Sequence, residues 1–406
     1  VASITKENVC YFILGIGILM PWNAFITAAD YYEQVFPGKH VDRLATVFYL
    51  PSNLLALASF IFFFSSRCAT LRVTIGFCLF GISMFLVSIL DAFNLQSLPA
   101  LLTFIAVCGA ADGAAQGALF GHAAVSGDSM NVQAIIAGTS MSGVIVSILR
   151  IVTKATFVQG GQMSSNIYFI LSGIVCICCA YIFSIVLPSL QKVSPDREIH
   201  FRAPGESETG HSVEVTHEGD QLSGKHDSEG ETAAILGPKL YHNDHEKAWD
   251  IVRQCKEPML ALIGCYLVTL SIFPGVLAED LATSSTWYPV MLISAFNVAD
   301  CIGKMCPVAI QEDFFSRTKV IMAASARLAF VPLFLVSVHS QMSILLVSIL
   351  TIFLGLTNGA LTTITMMFAP SLITDEEEVE LCGNLTVLCL IFGLNVGAFS
   401  GFLWLL

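Results

Sequence analysis

Asp300 and Lys304 stand four residues apart in the stretch FNVADCIGK, residues 296–304, and Asn297 precedes the aspartate by three. On a helix this spacing gathers the three side chains on one face. Asp112 and Gln116 repeat the four-residue interval and share a face of their own. An acceptor, a cation and an amide suit the binding of a polar solute if a cavity lies beside them. Without one, Asp300 only neutralises Lys304 and locks a bundle, and Gln116 only ties its helix to the next. Leu19, Trp22 and Ile26 fall on one face of a third segment, with Asn23 beside the ring. A large flat ring next to an amide suits a ligand that is flat on one side and polar at its edges. A tryptophan also commonly marks membrane interfaces, but Trp22 lies about 13 residues into its span, beyond the middle, which weakens that reading.

Nothing in the sequence supports bond-breaking chemistry. There is no H-E-x-x-H, GTSMSG at 138–143 does not fit G-x-S-x-G, and IGKM at 302–305 lacks the rest of a phosphate loop. Most of the thirteen cysteines sit in apolar runs and read as small apolar helix residues. No enzyme, cofactor, metal site or nucleic-acid partner is expected.

The elements that must carry these residues are membrane helices. The chain of 406 residues is 55% hydrophobic and 12% charged, against about 25% charged in soluble domains. Its apolar runs are long rather than alternating, which selects helix over a membrane barrel. Eleven spans are expected, at 9–29, 44–65, 71–91, 98–125, 131–153, 166–187, 258–278, 287–308, 318–338, 341–369 and 379–404. The residues 190–257 differ in character, with fourteen acidic, eight basic and six histidine side chains. They read as a disordered linker, too polar to bury a core, and the irregular histidine spacing argues against a metal site. The expected organisation is a bundle over 1–190, a linker over 191–257 and a second bundle over 258–406. Lysine and arginine are biased towards the positions that a cytoplasmic N-terminus would put inside, giving a cytoplasmic linker and an extracytoplasmic C-terminus. No cleaved signal peptide is evident, and a leader of unknown length is expected before Val1.

Ionisable groups at bilayer depth cost roughly 2.5–3.5 kcal/mol on insertion scales, so each is a functional candidate. Asp112, Arg150, Asp300, Lys304 and Arg327 are such residues. Arg150 lies near the end of its span and is placed to snorkel. Asp112, Arg150 and Arg327 are candidates for coupling or gating. Pro21 is expected to bend the first span. Gly109, Gly113, Gly117 and Gly121 form a four-residue repeat that lets a neighbouring helix approach closely.

Six motifs in register now resemble one family: PWNAFITA at 21–28, GAAQGALFG at 113–121, AGTSMSG at 137–143, IFPGV at 272–276, FNVADCIGK at 296–304 and GLTNGALTT at 355–363. The chain resembles the equilibrative nucleoside transporters, most of all the plant members, over nearly its whole length. The resemblance implies an all-α, major-facilitator-like bundle of six spans against five, working by alternating access. It implies a nucleoside substrate such as uridine or adenosine, sometimes a nucleobase. Trp22 and Asn23 then fall on the first-span site, with Leu19 and Ile26 beside them. Gln116 falls on the glutamine that meets the base, and Asp300 on the aspartate that meets the ribose hydroxyls. Lys304 stands where many members carry arginine, so the planar fork is lost while the charge is kept. Asp112 stands where an uncharged residue is common in animal members, and a buried carboxylate there can carry a proton. The expectation is a monomeric nucleoside carrier, facilitative or proton-coupled, in the plasma membrane or else the vacuolar one. The alternatives are a facilitator for a sugar or drug, and a non-transporting receptor or scaffold.

Overall fold

A computed structural model describes residues 5–63, 69–125, 129–157, 161–193, 247–281, 287–305, 316–340, 343–374 and 376–406. Residues 194–246, most of the expected linker with all six of its histidines, lie outside the described residues. The described chain is helical, as hydrocarbon demands of a backbone with no water to bond. The helices are α1 (Lys6–Ile18), α2 (Met20–Thr27), α3 (Ala29–Val35), α4 (Val41–Phe63), α5 (Ala69–Ala92), α6 (Leu98–Val125), α7 (Ser129–Thr156), α8 (Gly161–Tyr181) and α9 (Leu187–Val193). After the linker come α10 (247–254), α11 (Lys256–Ile272), α12 (Trp287–Met305), α13 (Arg317–Ala326), α14 (Phe330–His339), α15 (Ile344–Ser371) and α16 (Glu376–Ser400).

Nine segments among the described residues are long and apolar enough to cross a bilayer. The other two expected spans are helical too, over α4 and α12, and carry Asp42, Arg43, Asp300 and Lys304.

Local sequence explains the ends and breaks. Thr5 caps α1 by accepting from the Asn8 backbone N–H, while the Asn8 side chain accepts from the Thr5 N–H. Ser316 and Ser343 cap α13 and α15 more simply, each hydroxyl accepting from the backbone N–H three residues on. Pro21 has no N–H for the carbonyl of Gly17, four residues back; the Leu19 N–H turns to that carbonyl and α1 stops. The expected bend in the first span is thus a break at Leu19, followed by a second break at Ala28.

Two groups of helices form, with α1, α4, α5, α6, α7 and α8 packed on one another and α11, α12, α13, α15 and α16 on one another. They meet along α7 against α12 and α4 against α16. Glycine sets the closest approaches. A Cβ on Gly109 would lie 2.2 Å from the Tyr49 carbonyl oxygen, and one on Gly113 2.2 Å from that of Asn53, so α6 lies backbone to backbone on α4. Gly303 and Gly359 do the same between α12 and α15.

Arg150 is buried rather than snorkelling. Its Nε and Nη2 donate to Asp30 Oδ1 at 3.1 and 2.8 Å, and Nη2 also reaches Oδ2 at 2.8 Å. Lys154 Nζ adds 2.6 Å to Asp30 Oδ2. Asp30 on α3 therefore holds two cations of α7, and desolvation is offset by this pairing.

Two outcomes follow from this packing. Gly109→Ala and Gly113→Ala should each lose about 1–3 kcal/mol through overpacking, read as a lower unfolding temperature in detergent. Gly117→Ala should stay near the parent, because its Cβ would meet Leu57 Cδ1 at an ordinary 3.5 Å. Asp30→Ala strands two buried cations and should cost about 3–5 kcal/mol in the same assay; an unchanged unfolding temperature would remove the cluster from the stability argument.

Candidate functional site

A cavity of about 340 Å³ lies between the two groups of helices. That volume is within the usual range for a small-molecule site, about 300–1,000 Å³. Its wall includes Leu19, Trp22, Asn23 and Ile26 of the broken first span, Asp112 and Gln116 of α6, and Asp300 and Lys304 of α12. Every residue expected to bind substrate thus lines one space, and Asp112 joins them. Arg150 and Arg327 are not among the lining residues.

Each wall has a sequence cause. The break at Leu19 restarts the chain as α2, whose Trp22 ring packs on Tyr49 with centroids 5.1 Å apart. Trp22 therefore faces the cavity rather than a membrane interface. Asn23 is buried, and its Nδ2 donates to Ser142 Oγ of α7 at 3.2 Å. Gln116 is half-buried, and its amide has no hydrogen-bond partner among the described residues.

Asp300 and Lys304 pair along α12 at 2.7 Å, as their spacing requires. The other Asp300 oxygen, Oδ1, accepts from Asn358 Nδ2 of α15 at 2.7 Å. Both side chains keep some exposure, 14% for the aspartate and 20% for the lysine, so the pair borders open space. Each carboxylate oxygen retains a free acceptor direction. Asp112 is paired differently. Its Oδ2 accepts from Tyr49 OH at 3.1 Å and Asn53 Nδ2 at 2.7 Å. Its Oδ1 is buried with no partner among the described residues, and no cation is paired with it.

Tyr49, Asn53, Tyr266, Phe296 and Asn358 also line the cavity and were not singled out from the sequence. Tyr49 and Asn53 carry the same four-residue interval as Asp112 and Gln116, a signal that was there to be read.

The lining residues of α6, α7, α12 and α15 lie towards the helix ends on the linker's side of the bundle, and those of α16 near its middle. The opposite end is closed by contacts between the two groups. Arg43 at the start of α4 bonds the carboxylates of Glu279 and Asp280, and its Nε donates to the Gly401 carbonyl at 3.2 Å. His40 Nδ1 lies 2.8 Å from Glu279 Oε2. Deeper in, Asn297 Nδ2 of α12 donates to Ser147 Oγ of α7 at 3.0 Å.

Known proteins share both fold and sequence with this chain. The structure resembles an inward-open xylose transporter, XylE from E. coli, with a TM-score of 0.60, 11% identity and coverage of 98% of this chain and 89% of that one. It also resembles the nucleoside transporter NupG, with a TM-score of 0.53, 10% identity and coverage of 97% and 89%. At such identities the likeness shows the fold, which is major-facilitator-like. Two Arabidopsis thaliana proteins are similar in sequence. Equilibrative nucleotide transporter 1 is 34% identical, covering 98% of this chain and 86% of its own length. Equilibrative nucleotide transporter 8 is 32% identical, covering 98% and 95%. The model of the nucleoside transporter family matches residues 102–406. With that match and relatives aligned along nearly its whole length, the chain belongs to the nucleoside transporter family.

Proposed function

We propose that this protein carries nucleosides across a membrane by alternating access, binding them in the central cavity. The observation that carries the reading is the convergence of Trp22, Gln116 and the Asp300–Lys304 pair, from three separate parts of the chain, on that cavity. A nucleoside offers a flat base, polar base edges and ribose hydroxyls, with no net charge. The Trp22 ring receives the base. The unpartnered Gln116 amide meets its edge, and Asn23 closes the same wall. Asp300 accepts from the ribose hydroxyls, with Lys304 holding the carboxylate, while Leu19 and Ile26 supply the apolar surface.

The names of the plant relatives speak of nucleotides, but charge favours the uncharged nucleoside here. Lys304 is the one cation among the described lining residues, and it is already paired with Asp300. Asp112 adds a second carboxylate to the wall. A phosphate would have to part Lys304 from Asp300 and then sit among acidic groups.

The proposed arrangement is eleven spans, six before a cytoplasmic linker at 191–257 and five after it, in a monomer at the plasma membrane. The N-terminus is cytoplasmic and the C-terminus extracytoplasmic, on the strength of the lysine and arginine bias. In that orientation the cavity faces the cytoplasm and the Arg43 cluster closes the outer end. Transport then requires that cluster to part while the linker side closes.

Proton coupling is a second reading, favoured by one feature: Asp112 is a buried carboxylate with no cation beside it. Such a group is placed to take up a proton on one side and release it on the other.

Asp300→Asn and Trp22→Ala proteins should reach the membrane and lose most uridine or adenosine uptake; normal uptake by both rules out this site. Adenosine should compete for uptake where adenosine monophosphate and free ribose do not, and equal competition by the monophosphate would sink the preference for an uncharged substrate. In reconstituted vesicles, an inward proton gradient should drive uptake by the parent and not by Asp112→Asn. Equilibration by the parent that ignores the gradient would make the protein a pure facilitator.

A further inference from the structure

Arg327 is 3% exposed, lies outside the cavity wall and forms no ion pair among the described residues. Its Nη1 donates to the Leu354 carbonyl at 3.2 Å and to Thr357 Oγ1. Its Nη2 points elsewhere, to Thr269 Oγ1 of α11 at 2.6 Å. A guanidinium has donors only, so the threonine oxygen must accept here. That leaves the single hydroxyl hydrogen of Thr269 for another partner. Asn358 Oδ1 lies 2.7 Å away, closer than the Cys265 carbonyl at 2.9 Å. The far end of the same amide, Nδ2, donates to Asp300 Oδ1 at 2.7 Å. The amide has one workable orientation, because an ionised carboxylate only accepts: nitrogen towards Asp300, oxygen towards the hydroxyl.

The result is an unbroken chain, guanidinium to hydroxyl to amide to carboxylate, with every donor directed towards Asp300. Four elements supply it: the turn Arg327–Ala329, α11, α15 and α12. Successive bonds of one polarity strengthen one another where water is excluded. The Arg327 guanidinium does not touch the carboxylate itself. At two removes it holds one oxygen through a single amide hydrogen. The remaining acceptor directions stay open towards the cavity.

We propose that Arg327, Thr269 and Asn358 are positioning residues: a relay that fixes the Asp300 carboxylate for a hydroxyl-bearing ligand. This rests on the reading of Asp300 as the group that meets the ribose hydroxyls. The relay gives the buried Arg327 a role in affinity although it touches no substrate. It also holds one carboxylate oxygen in place whatever Lys304, the half-buried partner, does during binding.

The test is a double-mutant cycle. Thr269→Val removes the hydroxyl with little change of volume, and Thr269→Ser keeps it. Adenosine KM and maximal rate are measured per molecule at the membrane for each, with and without Asp300→Asn. The relay predicts that Thr269→Val raises KM about tenfold, the equivalent of about 1.4 kcal/mol, with the maximal rate little changed. Thr269→Ser should restore most of the affinity, and Thr269→Val should add nothing once Asp300 is asparagine. Thr269→Ala enters the same cycle if the valine protein does not reach the membrane. Effects of Thr269→Val and Asp300→Asn that multiply, or a serine protein as impaired as the valine one, overturn the relay alone. An unchanged KM in Asp300→Asn overturns the ribose reading of Asp300 and the relay with it.

Discussion

A charge survives in hydrocarbon only beside groups that replace its water, and this constraint decides where each ionisable side chain of the bundle can stand. The protein meets it in four ways. Arg150 and Lys154 share Asp30. Lys304 takes Asp300 from one turn away on its own helix. Arg327 spreads its donors over a carbonyl and two hydroxyls. Asp112 makes do with a phenol and an amide. These solutions are not equivalent. Asp30 accepts four bonds from its two cations, so a ligand would find no acceptor left. Asp300 accepts two and borders the cavity, which leaves capacity for a hydroxyl. The same residue type thus serves as a structural clamp at one position and as a recognition group at the other, and the count of donors around it marks the difference.

Close helix packing supplies those donors. In a bilayer, small residues let backbones meet, because apolar side chains gain nothing by leaving lipid. Gly109 and Gly113 bring α6 onto α4 at Tyr49 and Asn53, and these two residues are the donors to Asp112. Gly303 and Gly359 bring α12 onto α15, and Asn358, next to Gly359, donates to Asp300. In both crossings one glycine is the immediate neighbour of a polar group that lines the cavity, Gly113 of Asp112 and Gly359 of Asn358. Packing and recognition are therefore one feature of the sequence: widen either crossing and the carboxylate loses its partners before it loses its place on the helix.

Much of this is legible in the chain itself. Helical periodicity is local, so Asp300 and Lys304, Asp112 and Gln116, and the face of Leu19, Trp22 and Ile26 can be paired by counting, and all of them line the cavity. Pro21 announces an interruption, though not that the backbone would stop at Leu19 and restart. Partners distant in sequence are another matter. Nothing near Arg150 in sequence points to Asp30, 120 residues away, so the arginine reads as snorkelling when it is clamped. Arg43 and Glu279 are 236 apart, and each reads as an ordinary loop-end charge until the fold joins them. Asn358 lies in a motif legible as a family signature, but its bond to Asp300 depends on a crossing that only tertiary structure fixes.

The distribution of charge also bears on how such a bundle could move. Among the described residues, the charged networks at mid-depth belong to one group of helices or the other: Asp112 with α4, and Asp300 with Lys304, Asn358 and the Arg327 relay. Each can travel as part of a rigid body without breaking a bond. The deeper polar contacts between the groups are neutral, Asn297 to Ser147 and Asn395 to the Leu50 carbonyl, and cost little to exchange. The inter-group ion pairs sit instead at the end of the bundle, where Arg43 meets Glu279 and Asp280, whose carboxylates keep 12% and 17% exposure. Arg43 is buried, but the two carboxylates already reach water, so part of the desolvation that makes a buried pair hard to separate is spared. An ion pair between the groups at the depth of Trp22 would have fixed the cavity in one state. Confining such pairs to the end of the bundle leaves the centre uncharged across the interface, which is the condition for two states of similar free energy.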